Sequence, residues 1–304
     1  MNVLMISGDK NLLREGTEAA ARLALQRSAV ERLDVFVWPS VHSYAQIAGA
    51  ARGSRYDVIT AQDPFWRGLI AWRLSRRTGA RLNLQLHAEL AGQSLLKRSV
   101  ARFLLRRADS VRVVSARLNA EIGKLGIHAR VTVLPVFIDA GRFARVTREP
   151  HDGKNVLWVG RFEPEKDPLR AVAVLKEVRA RGVDARLVML GRGSLEGTLR
   201  KAARGLPVEF RGWQDPVAYL SQADAVLSTS PRESFGASIV EALAAGVPVV
   251  SRDAGVAQEA GANVVAPEML AAEVARVFAS DSHGTLRLAL RSPEEWVKAW
   301  KESL

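Results

Sequence analysis

PRESFGASIVEALAAGVPVV, residues 231–250, carries two carboxylates, Glu233 and Glu241, separated by seven residues. A Gly-containing turn follows the first, an apolar run at helical spacing carries the second, and the stretch closes on a short β-like run at 247–250. A helix starting near Phe235 or Gly236 leaves Glu233 in the loop before it and projects Glu241 from its second turn. Between the two acids lies a helix start whose first N–H groups have no partner within the helix, a setting that suits a phosphate. Gly236 allows a close approach of backbone to ligand, because no side chain intervenes. A second reading stays open here. Ser238 and Glu241 also fit an S-x-x-E capping box, in which the acid serves only the helix backbone.

Upstream, VLWVGRFEPEKDP (156–168) places Gly160, Arg161 and Lys166 directly after an apolar, strand-like run and before a helix that Asp167 is expected to cap and Pro168 to open. A guanidinium fork and an ammonium at a strand end suit a diphosphate that gathers negative charge as its ester bond breaks. The competing reading is a solvated pair of cations bound to Glu163 and Glu165.

Around these motifs the chain alternates short β-branched runs with helical stretches. Runs at 3–6, 34–38, 57–60, 81–86, 110–114 and 131–134 alternate with helical patterns at 11–26, 65–77, 95–107 and 117–125. A second series begins at 155–159, after a polar segment at 139–153 that contains Gly141, Pro150 and Gly153 and reads as a linker. Strand–helix alternation predicts parallel sheets covered on both faces, an α/β fold, with ligands beyond the carboxyl ends of the strands. Gly8, Gln62, Asp63, His87 and Ser115 fall on that rim in the first half. Asp63 is expected to cap a helix opened by Pro64. The expected division is 1–145, 146–290, and a terminal helix at 291–304 that crosses back to the first domain.

Composition bounds the function. At 304 residues, 48% hydrophobic and 25% charged, the chain is long enough for two globular domains. No run reaches the roughly 18 apolar residues of a membrane span, and MNVLMISGDK lacks the basic start and cleavage site of a signal peptide, so a cytoplasmic protein is expected. The absence of Cys excludes disulfides and thiolate metal sites, and five His without an HExxH-type cluster argue against a zinc enzyme. A formal charge of +12 favours polyanionic partners: phosphorylated substrates, anionic membrane or nucleic acid. Aromatics, 6% of residues, do not interleave with a basic run as a single-strand binder needs, so no nucleic acid is expected. LLKRSVARFLLRR, opening on Leu95 and closing on Arg107, sets Leu96, Val100, Phe103 and Leu104 at helical spacing against a basic face. It reads either as an amphipathic surface for anionic lipid or as an ordinary core helix with a charged outer side.

The stretch from Glu233 to Val250 resembles the signature of family 4 glycosyltransferases, retaining and nucleotide-sugar dependent. The resemblance extends through VLWVGRFEPEKDP and VMLGRG (188–193), and through AQDPFWRGLIAWRL (61–74), LQLHAEL (84–90), ADSVRVVSARL (108–118) and VLPVFID (133–139), and so covers most of the chain. It implies the GT-B fold, two Rossmann-like domains with parallel sheets facing across a cleft, the first on the acceptor side and the second on the donor side. It implies that Arg161 and Lys166 hold the diphosphate beside Gly160, and that Glu233 binds donor-sugar hydroxyls while Glu241 binds the ribose. The backbone at Phe235, Gly236 and Ala237 then meets the distal phosphate, Gly191 and Gly193 lie by the nucleobase, His87 contacts the sugar, and Gly8 belongs to the first loop. The donor implied is of UDP or GDP type, used as substrate with no cofactor and no metal, and the acceptor is a glycan or lipid-linked hydroxyl in cell-envelope synthesis. A GT-B sugar-nucleotide epimerase, and a non-enzymatic basic module for anionic lipid or nucleic acid, are the alternatives.

Overall fold

The computed structural model describes residues 1–280 and 282–304 and divides into two compact units, 1–137 with 291–304, and 138–290. The first contains strands β1 (Asn2–Ser7), β2 (Arg32–Val37), β3 (Val58–Ala61), β4 (Arg81–Leu86), β5 (Ser110–Val113) and β6 (Arg130–Val133). Its helices are α1 (Glu18–Ser28), α2 (Tyr44–Gly53), α3 (Trp66–Thr78), α4 (Leu95–Leu105) and α5 (Ala116–Gly123). The second contains β7 (Lys154–Val159), β8 (Ala185–Leu190), β9 (Val208–Gly212), β10 (Ala225–Ser228), β11 (Val249–Ser251) and β12 (Asn263–Val264). Its helices are α6 (Ala140–Ala144), α7 (Pro168–Ala180), α8 (Glu196–Ala202), α9 (Val217–Leu220), α10 (Ala237–Ala244), α11 (Ala257–Ala260) and α12 (Leu270–Ser280). The last helix, α13 (Pro293–Ser303), belongs to the first unit.

Both sheets are six-stranded and parallel, in the orders β2-β1-β3-β4-β5-β6 and β12-β11-β10-β7-β8-β9. Strand order reverses between β1 and β3 in the first sheet and between β7 and β10 in the second. At such a reversal the crossovers on either side leave in opposite directions and open a crevice at the strand carboxyl ends. Gly8 and Gln62 follow the reversal strands of the first unit, and Gly160 and Thr229 those of the second.

The first core packs Val3, Met5, Leu23 and Val58 with Trp296, Trp300 and Leu304, so the face covered by α1 is shared with α13. Trp296 and Trp300 lie one turn apart on α13 and are both buried, and a Ser292–Glu295 capping box fixes its start. The second core gathers Val156, Trp158, Leu187 and Leu227 with Val174 and Leu175 of α7 and Val274 of α12.

Several local expectations are corrected. The expected helix at 11–26 breaks into a 3-10 turn, Lys10–Leu13, and α1, because Gly16 takes φ +75° and Thr17 caps a fresh start by accepting from Ala20 N at 3.1 Å. The polar linker at 139–153 holds a helix, α6, whose Phe143 is buried. Asp63 caps no helix. Helix α3 begins at Trp66, and Asp63 instead accepts from the Phe65 N–H at 2.9 Å and pairs with Arg67. Asp167 occupies the N-cap position of α7 in the left-handed region, φ +47°, but makes no capping bond; its carboxylate lies 3.6 Å from Arg252.

Candidate donor and acceptor sites

In the second unit, the loop after β7 is positioned by its neighbours. Gly160 N–H donates to Leu190 O at 3.0 Å, and a Cβ on Gly191, which sits at φ +150°, would fall 1.8 Å from Gly160 O. A Cβ on Gly193 would meet Phe162 O at 2.4 Å. Glycine at both positions is thus required by the close passage of two loops at the ends of β7 and β8. Glu163 is used in the same seam, accepting from Ser194 Oγ at 2.5 Å and from Ser194 N–H at 2.9 Å, and these bonds hold its carboxyl below the ordinary range.

Lys166 is aimed by a short chain of bonds: Trp158 Nε1 donates to Thr229 Oγ1 at 2.9 Å, and Thr229 Oγ1 donates to Lys166 O at 3.0 Å. Its ammonium pairs with Glu233, both side chains being largely buried. Arg161 pairs with Glu165 at 2.8 Å, and both of those side chains are more than half exposed. The solvated-pair reading therefore describes Arg161 and not Lys166. An exposed ion pair contributes about 1 kcal/mol or less, so Arg161 exchanges partners readily, whereas Lys166 and Glu233 are held as a unit.

Helix α10 begins at Ala237 with Gly236 at its N-cap, φ +94°. No side chain caps it, so Ser238 and Glu241 form no capping box; Ile239 N–H donates to Gly236 O at 3.1 Å, and the amides of Ala237 and Ser238 are left to an outside acceptor. Glu241 projects from the second turn and is 93% buried, at 7% relative exposure. Phe235 is buried, and its carbonyl accepts from Val256 N–H at 2.9 Å. Gly255, φ +58°, lets that contact form, since a Cβ there would fall 2.3 Å from Phe235 O and 2.9 Å from Glu233 Cβ. Lys166, Glu233 and the Phe235–Ala237 backbone are thereby joined in one structure at the β7/β10 reversal; Gly255, absent from the sequence expectations, is what seats it.

In the first unit, a cavity of about 480 Å³ at the β1/β3 reversal is lined by Gly8, Gln62, Arg22, Arg67, His87 and Arg112 among others. The room above Gly8 is filled by Arg67, whose Nη2 would lie 2.2 Å from a Cβ there. His87 follows β4, in a loop anchored by Glu121, which accepts from the amides of Leu90 and Ala91 at 3.1 and 2.7 Å. Its Nε2 lies 3.3 Å from Gln85 Oε1. That oxygen also accepts from Arg112 Nη1 at 3.1 Å, while Gln85 Nε2 donates to Thr60 at 3.0 Å, so the amide orientation is set by a partner that can only donate. Nε2 of His87 must then carry the proton, leaving Nδ1 as an acceptor. Burial first, then Arg112 and Arg22, depress the imidazole to about 3, so it is neutral at physiological pH.

Behind His87 runs a buried polar row on three strands, Thr60, Asn83, Gln85, Ser110 and Arg112. Asn83 Nδ2 donates to Ser303 O at 2.8 Å and Ser110 Oγ to Leu304 O at 3.0 Å, satisfying the end of α13. The sequence expectations missed this row. Its signal is the alternation of polar residues within RLNLQL and SVRV, which gives each strand one polar and one apolar face.

Comparison with known proteins follows this division. A profile described as glycosyl transferase 4-like domain matches residues 6–136, and one described as glycosyl transferases group 1 matches 153–280. A GDP-mannose-dependent alpha-(1-6)-phosphatidylinositol dimannoside mannosyltransferase of Mycobacterium tuberculosis is 33% identical over 235 residues, 69% of this chain and 62% of the relative. A glycogen synthase of the same organism is 32% identical over 261 residues, 76% of this chain and 62% of the relative. The chain thus spans 62% of the length of these curated relatives. Among solved structures, Anabaena HepE in complex with UDP and glucose superposes with a TM-score of 0.75 at 17% identity, covering 100% of this chain and 95% of the other, which places the fold in the same GT-B class.

Proposed function

This chain belongs to the family 4 type of glycosyltransferases, and on that premise we propose that it transfers a sugar, with retention of configuration, from a nucleoside diphosphate donor to an acceptor hydroxyl. The observation that carries the proposal is the joined unit of Lys166, Glu233 and the uncapped start of α10 at the strand-order reversal. Cation, acid and helix N-terminus meet there in the combination that a sugar diphosphate requires.

Arg161 and Lys166 meet the diphosphate, and charge that grows on the leaving oxygen is stabilised by groups already in place. Glu233 accepts from donor-sugar hydroxyls while its pairing with Lys166 keeps it oriented. Glu241 accepts from the ribose, and the amides near Phe235, Gly236 and Ala237 donate to the distal phosphate. In the first unit, neutral His87 offers Nδ1 as an acceptor to a substrate hydroxyl. No side chain in this set is placed as an enzyme nucleophile, which favours attack from the leaving-group face, the departing phosphate oxygen taking the acceptor proton.

The finer setting is an acceptor held at an anionic membrane surface. Leu95 and Leu96 are 77% and 63% exposed beside Lys97 and Arg98, and only Ala101, Leu104 and Leu105 of α4 are buried. The apolar stripe expected to cover the sheet is therefore turned: Leu96, with Leu95 beside it, faces outward and is free to meet lipid. Among the described residues no helix is long and apolar enough to cross a membrane.

Ligand-dependent melting tests the donor site. UDP or GDP is expected to raise the melting temperature of the wild type, and the Arg161→Ala/Lys166→Ala variant to bind about 10- to 100-fold more weakly, as loss of charge-assisted bonds implies. Stabilisation by a single-stranded oligonucleotide and by neither nucleotide would select the basic-module reading instead.

A further inference from the structure

We propose that the cavity of the first unit takes an anionic group of the acceptor, a phosphate ester, held by Arg22 and Arg112 beside His87. The inference rests on the glycosyl-transfer reading, which assigns acceptor chemistry to this unit, but its physical basis is independent of the donor site.

Arg112 is 3% exposed, and every partner it has is neutral: Leu134 O at 3.0 Å, Pro135 O at 3.0 Å, Gln85 Oε1 at 3.1 Å and the ring of Trp296, whose centroid lies 5.4 Å from the guanidinium carbon. These bonds use three of its five N–H groups and compensate none of its charge. A buried guanidinium without a carboxylate is costly, and it is tolerated where a water-filled cavity gives access to an anion. Arg112 lines such a cavity. Arg22 of α1 faces the same space and also pairs with Glu18 at 3.8 Å, Glu18 being about half exposed. The nearness of the two cations is felt at the group they flank, since both disfavour protonation of His87.

Two acids line the cavity, and one of them is paired with a cation. Asp63 is bound by Arg67 and by Phe65 N–H, and Asp9 accepts from Asn11 N–H at 2.9 Å. Two like charges converging on a neutral imidazole, with one of the lining acids paired, present one anion-binding pole and one hydroxyl acceptor, Nδ1 of His87. A phosphorylated polyol matches both, its anion on the arginines and a hydroxyl on the histidine. The phosphate can come from a soluble ester or from a phospholipid headgroup.

Calorimetric titration of the full chain with a hexitol phosphate, the corresponding neutral hexitol and inorganic phosphate tests the assignment. The phosphate ester and inorganic phosphate are expected to bind, and the neutral hexitol at least about tenfold more weakly than the ester. Arg22→Gln, at a partly exposed position where folding is undisturbed, is expected to weaken the ester about tenfold, and Arg112→Gln, if it folds, by more. Equal binding of neutral and phosphorylated hexitol, or an unchanged affinity in Arg22→Gln, overturns the proposal. Displacement of the ester by phosphatidylinositol vesicles but not by phosphatidylcholine vesicles assigns the anion to a headgroup, and no displacement by either assigns it to a soluble ester. UDP and GDP titrations run alongside separate the two readings: if neither nucleotide binds while the ester does, glycosyl transfer fails and the anion site stands.

Discussion

Gly255 makes the proposed donor site buildable, and substitution there separates packing from backbone strain. Gly246 and Gly255 both have positive φ, +75° and +58°, but a Cβ at 246 meets open space while one at 255 strikes Phe235 O and Glu233 Cβ. Gly246→Ala is expected to cost about 1–2 kcal/mol from its left-handed backbone alone. Gly255→Ala adds an overpacking term, for a total of about 2–5 kcal/mol, and displaces the Glu233 loop so that nucleotide affinity falls with it. Urea unfolding and nucleotide titration of both variants check this; equal losses would show that the 255 contact is slack. At His87 the folded imidazole titrates at about 3 against an ordinary value of 6.5. Below 6.5 the unfolded chain binds the proton and the folded chain does not, so the histidine's contribution is present above 6.5 and is lost as pH falls toward 3. Stability measured against pH should therefore slope less steeply between 6.5 and 3 in His87→Asn than in the wild type. A slope unchanged by the substitution would place the imidazole in water.

At the level of elements, α4 is the case in which periodicity found the helix but not the residues it buries. Leu96, Val100, Phe103 and Leu104 do recur at helical spacing, but the helix buries Ala101, Leu104 and Leu105, because α3 covers it from that side. Phe103 meets Trp72 edge-on at 5.2 Å and carries Arg107 on its ring at 3.7 Å, while the paired leucines at the start stay in solvent. Two exposed leucines next to Lys97 and Arg98 predict binding to anionic vesicles that weakens with salt. Leu95→Ser/Leu96→Ser should reduce that binding about tenfold or more in a sedimentation assay and leave the fold intact, since neither side chain packs in the core. Retention of full binding would leave α4 as a plain covering helix. The α10 motif was legible to within a residue of its start, because a glycine in the left-handed region ends one conformation and begins another.

On the scale of the whole molecule, both parallel sheets follow from the strand–helix alternation that the chain displays along its length. Assignment of residues 291–304 to the first unit rests on contacts that no local pattern encodes: Trp296 Nε1 donates to Pro135 O at 2.9 Å, and Asn83 and Ser110 serve the carbonyls at the end of α13. Those partners lie more than 150 residues away in sequence, at separations of 161, 220 and 194.

By itself, then, the amino-acid order determined the α/β class, the two series of strands, and the segments bearing Arg161, Lys166, Glu233 and Glu241, since periodicity and glycine placement are local properties. Only the tertiary structure decided which cation each acid holds, why Gly191, Gly193 and Gly255 must be glycine, and that Arg112 is a buried charge with neutral partners. Those facts arise where strands distant in sequence are brought side by side, and a side chain's charge state and contacts are set by what surrounds it in space.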